Sequence, residues 1–90
     1  MHTDEYEISL SRELAVCEGY VRSARAVLER METRHGMTTD AFLGRCRTGE
    51  CAAEGEFGEW QQAHGSLLRW SAARDEYRGL LDAMRQSATR

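Results

Sequence analysis

The chain has 90 residues, 41% of them hydrophobic and 30% charged, with a net charge of −3 and no proline. That balance lies away from the high-charge corner where chains stay disordered, and it disfavours a whole basic face that neutralises nucleic-acid phosphates. No apolar run approaches the roughly 20 residues that cross a bilayer, and the missing proline removes the strongest helix breaker.

The first predicted element is a helix over about residues 5 to 35. Leu10, Leu14, Cys17, Val21, Ala24, Leu28 and Met31 recur at alternating steps of four and three, an apolar seam of coiled-coil type. Tyr20 and Val27 flank the seam and widen it. Ser11 or an earlier residue is expected to cap the start, and Gly36 to end the helix in the left-handed conformation. A short helix over about residues 39 to 47 follows, started by Thr38 or Thr39 with Asp40 and given one apolar face by Phe42, Leu43 and Cys46.

The last element is a helix over about residues 55 to 87, with Trp60, Ala63, Leu67, Trp70, Tyr77, Leu81 and Met84 at steps of three and four. Arg74 interrupts this second seam. The expected fold is therefore all-α: a single domain, residues 1–90, built as a long antiparallel helical hairpin with a short helix in its connection. Its expected core includes Leu14, Val21, Leu28, Met31, Trp60, Leu67, Trp70, Tyr77 and Leu81. A turn centred near residues 46 to 48 sets Trp70 opposite Ala24 and pairs Arg74 with Glu18. Gly19, Gly65 and Gly79 lie inside the long helices, where each costs up to about 1 kcal/mol relative to alanine unless it admits a close backbone.

Charge is uneven along the chain. Acids dominate residues 1–18 and 37–59, whereas residues 19–36 and 60–90 each carry an excess of two arginines. Cys17, Cys46 and Cys51 make an odd number with no apolar leader ahead of them, so a reduced, cytoplasmic protein is expected. Cys46 and Cys51 with His35 and His64 are the one group resembling zinc ligands, but the gap between the cysteines is at the outer limit of ligand spacing. The plainer reading makes Cys17 and Cys46 small core residues and Cys51 an exposed thiol.

A two-helix scaffold with one short helix has little volume for a pocket of convergent polar groups, so no enzyme, catalytic residue, cofactor or metal is expected. Glu50, Glu54, Glu56 and Glu59 read as a solvated acidic patch rather than an acid and base pair. Trp60, Trp70 and Tyr77, interleaved with Arg69, Arg74 and Arg78, have the composition of a stacking platform for nucleic acid, yet their seam positions favour a core role.

Between His35 and Trp60 the residues Gly36, Met37, Thr38, Asp40, Phe42, Gly49, Glu50, Glu56, Phe57, Glu59 and Trp60 form a recognisable stretch. It resembles one that recurs in a poorly characterised family of small bacterial helical proteins, some of them antitoxin-like components encoded beside a small toxin. Cys51, Ala52 and Ala53 depart from the aliphatic, glycine and acidic residues usual in that family. The resemblance implies a non-catalytic protein-interaction module with a protein partner. As architecture, Met37 and Phe42 would pack against Trp60 and close the end of the hairpin. Candidate partner contacts are Phe42, Glu50, Glu54, Glu56, Glu59, Arg69 and Arg78. Self-association into a four-helix bundle would cover the remaining apolar surface. The alternative is a nucleic-acid-binding regulator that uses the arginine-bearing faces.

Overall fold

The structure, a computed structural model, describes residues 2–51 and 55–88. Three helices follow in order, α1 (His2–His35), α2 (Thr39–Arg47) and α3 (Gly55–Ala88), and the described residues contain no strand. The long helices pack against each other as the expected hairpin, 55 × 19 × 18 Å along its principal axes. Ser11 lies inside α1 rather than at its start.

Local chemistry sets the ends. Gly36 takes φ +64°, and its N–H donates to the Glu32 carbonyl at 2.9 Å, closing α1 in a conformation that glycine adopts without steric cost. Thr38 caps α2, its hydroxyl oxygen accepting the Ala41 N–H at 3.1 Å. At the far end of α2 the chain reverses through Gly49 at φ +80°, whose N–H donates to the Cys46 carbonyl at 3.1 Å. The Glu50 N–H reaches the Arg45 carbonyl at 2.9 Å.

The core concentrates at the connected end. Leu28, Met31, Phe42, Trp60 and Ala63 form one buried cluster, with Met37, Leu43, Phe57 and Leu67 packed against it. The rings of Phe42 and Trp60 stack with centroids 4.0 Å apart and planes 5° from parallel. Met37 and Phe42 thus close the hairpin against Trp60. Farther along, the seam continues through buried Leu10, Cys17, Val21, Ala24 and Leu81, while Leu14, Trp70 and Tyr77 are only half-buried.

One buried polar chain ties the three helices together. The Trp60 indole Nε1–H donates to the Thr39 hydroxyl at 3.0 Å, and that hydroxyl donates to Glu32 Oε2 at 2.9 Å. The Thr39 backbone N–H donates to the same carboxylate oxygen at 2.8 Å. Every donor in the chain therefore has an acceptor, as burial requires.

Two expectations change. Glu18 is taken by Arg78, one helical turn beyond Arg74, with Nη2 to Oε2 at 2.9 Å, while Arg74 turns to its neighbour Asp75 at 3.0 Å. Arg74 and Arg78 line the same notch around Glu18, and the adjacent carboxylate of Asp75 removes Arg74 from the competition. The interior glycines admit no close backbone: a Cβ at Gly65 or Gly79 would meet nothing within 4 Å, and at Gly19 only the tip of Arg22. They are tolerated, not required.

Candidate functional site

A hairpin two helices wide leaves two long sides open, and their chemistry differs. On one side Tyr20, Ser23, Ala24 and Val27 of α1 face Glu59, Gln62, Ala63, Ser66 and Trp70 of α3 across a shallow groove in which Glu59 is the one charged residue. Its floor is the stacked pair Tyr20 and Trp70, ring centroids 4.5 Å apart. Trp70 therefore lies on Tyr20, with Ala24 lining the same groove. Tyr20 is 50% exposed and Val16, one turn away, 48%. The groove holds about 250 Å³, less than the roughly 300 Å³ at which small-molecule pockets begin. Its shape suits side chains from another helix.

This stripe was not legible from the core seam alone. Val16, Tyr20, Ser23 and Val27 repeat the same three-and-four spacing one step round α1, and that second run is the signal that identifies it.

The other side is basic. Arg22, Arg25, Arg74 and Arg78 surround Val21 and Glu18 in a second notch. Glu18 and Asp75 are paired there, whereas Arg22 and Arg25 have no carboxylate partner among the described residues. Toward the free end Arg85 stands 3.9 Å from Glu7.

The acidic connection is largely spent on holding the hairpin. Glu59 accepts from Arg30 at 2.8 Å, and Glu56 lies 2.9 Å from Arg34 and 3.5 Å from His35. Glu50 is exposed, Glu54 lies outside the described residues, and exposed Arg69 leans on Ser66 at 3.4 Å. Phe42 is 2% exposed, so it cannot serve as a partner contact; its ring is committed to Trp60 because α2 turns its apolar face inward. Of the candidate contacts, the structure leaves Glu50, Glu59, Arg69 and Arg78 at the surface, Glu59 and Arg78 each in an exposed ion pair.

The cysteines also depart from expectation. Cys46 and Cys51 form a disulfide, so Cys51 is not an exposed thiol and the pair is not reduced. The left-handed turn at Gly49 brings their Cα atoms to 4.9 Å, within the span a disulfide bridges. Gln61 Nε2 donates to both sulfurs, at 3.1 and 3.2 Å, and fastens the bridge to α3. Cys17 is free and 1% exposed; burial raises its pKa above the ordinary 9.0, helped by the charge of Glu13. Among the described residues no group of three or more histidine, cysteine and carboxylate side chains is placed to hold a metal.

The chain matches no known protein family, curated protein or solved structure. No helix of the described residues is long and apolar enough to cross a membrane.

Proposed function

We propose that the protein is a non-catalytic interaction module that receives helices of a protein partner along its charge-poor side. The observation that carries this reading is the stack of half-exposed Tyr20 on partly buried Trp70, with exposed Val16 one turn away. Large aromatic residues concentrate binding energy when a partner desolvates them. Serine and alanine around them leave room for incoming side chains.

The resemblance of the Gly36 to Trp60 stretch supports an antitoxin-like role, with a small toxin encoded nearby as the partner. Co-expression with the neighbouring gene product and pull-down tests it. Capture that Tyr20→Glu and Trp70→Glu each abolish is expected; capture indifferent to both variants would sink the assignment of this side.

A second reading, nucleic-acid binding, draws on the arginine notch, where Arg22 and Arg25 are uncompensated. The overall charge of −3 weighs against it. A gel shift that fades steeply with salt and is lost in Arg22→Gln/Arg25→Gln would favour it over the first.

A further inference from the structure

We infer that in the free protein the charge-poor side is covered by a second copy of this chain, laid antiparallel across it, which the other partner displaces; the inference rests on the interaction-module reading. The first argument is area. The hairpin exposes 6463 Å², about 1,100 Å² more than the roughly 5,300 Å² of a compact monomer of its mass. A standard interface removes about 800 Å² from each partner, so one face-to-face contact covers most of the excess. The radius of gyration agrees, at 17.7 Å against about 12 Å for a compact chain of this length.

The second argument is the order of residues along the exposed stripe of α1, which reads Glu13, Val16, Tyr20, Ser23, Val27, Arg30. A two-fold axis lying in the interface and crossing α1 midway between Tyr20 and Ser23 turns the stripe onto itself. Val16 then faces the other copy's Val27, and Tyr20 faces its Ser23, a large side chain over a small one. Glu13, which has no basic partner among the described residues, faces Arg30, whose guanidinium also holds Glu59 of its own chain, so each rim gathers one arginine between two acids. On α3 the same level falls near Trp70, which brings the two indoles together at the centre. Such self-complementarity is what an isologous contact demands, and a partner of unrelated sequence would not require it.

The basic side is left outward by this arrangement, and the result is a four-helix bundle with antiparallel neighbours. Light scattering on size-exclusion fractions at tens of micromolar should give twice the 10.2 kDa chain mass. Tyr20→Glu should give monomers with unchanged helical circular dichroism. Glu13→Arg should weaken the dimer about tenfold, because both rim contacts turn repulsive together, and Glu13→Gln should weaken it less. Glu13 is exposed and pairs with no basic residue among those described, so its variants fold even where Tyr20→Glu does not. A monomer at all concentrations overturns the inference, as does a dimer indifferent to Glu13→Arg and Tyr20→Glu. A monomer that still captures a different protein through Tyr20 and Trp70 sinks the second copy alone. A dimer of this design that captures nothing sinks the toxin partner alone.

Discussion

Thr39→Val tests whether the chain of hydrogen bonds through Thr39 holds the three helices together. The substitution keeps the shape and removes the hydroxyl, so the Trp60 N–H, on a side chain that is 0% exposed, loses its acceptor at 3.0 Å. Leaving such a donor buried and unmet costs about 1–3 kcal/mol, and losing the charge-assisted bond to Glu32 adds to it, partly offset because the Thr39 N–H still reaches that carboxylate. The expected loss is about 2–4 kcal/mol, a large share of the roughly 5–13 kcal/mol available to a chain of this length. Thermal melts followed by circular dichroism should fall by roughly 10–25 °C. Thr39→Ser is the control: it retains the hydroxyl and loses one methyl, worth about 1 kcal/mol. If Thr39→Val melts with the native protein, or Thr39→Ser falls as far, the hydroxyl is not the linchpin and the reasoning fails.

Reducing the Cys46 and Cys51 bridge should cost about 2 kcal/mol, the closure entropy of a ring of about six residues, and the Cys46→Ser/Cys51→Ser variant should melt like the reduced protein. An unchanged melt under reductant would show that Gln61 and the Gly49 turn hold the connection unaided. Stability should also decline at alkaline pH because the folded state holds the Cys17 proton more tightly than the unfolded chain does. The contribution is whole below the ordinary thiol value of 9.0 and is lost as pH rises toward the folded value, at no more than about 1.4 kcal/mol per pH unit. Urea midpoints at about pH 8 and about pH 10 should therefore differ less in Cys17→Ala than in the native chain. Gly79→Ala should raise stability by about 0.5–1 kcal/mol, since the added methyl meets nothing within 4 Å and the helix gains propensity; a loss would reveal a contact there. At physiological salt Glu18→Gln should change stability by under about 0.5 kcal/mol, because its pair with Arg78 is screened by solvent.

The hairpin was legible because seven apolar residues from Leu10 to Met31 and seven from Trp60 to Met84 keep helical spacing, which outweighs Arg74 and the three interior glycines. Gly36 and Thr38 mark the ends of their helices by the same local chemistry that the structure shows. What escaped was what depends on distance in space. The spacing of Cys46 and Cys51 carries no word of the turn at Gly49 that joins them. Arg74 and Arg78 line the same notch as Glu18, and only the position of Asp75 decides between them. Phe42 read as a contact residue because a short amphipathic helix has an apolar face whichever way it turns; the buried Trp60 and Thr39 fix that direction.

The two tryptophans occupy opposite situations, and that makes the chain its own pair of optical reporters. Trp60 is sealed beneath Phe42, so its emission should be blue-shifted and deaf to iodide until α2 detaches. Trp70 lies half open on Tyr20, where quenching reads whether the groove is covered. A titration that silences quenching of one indole and leaves the other unchanged would separate docking from unfolding in a single cuvette, without a label.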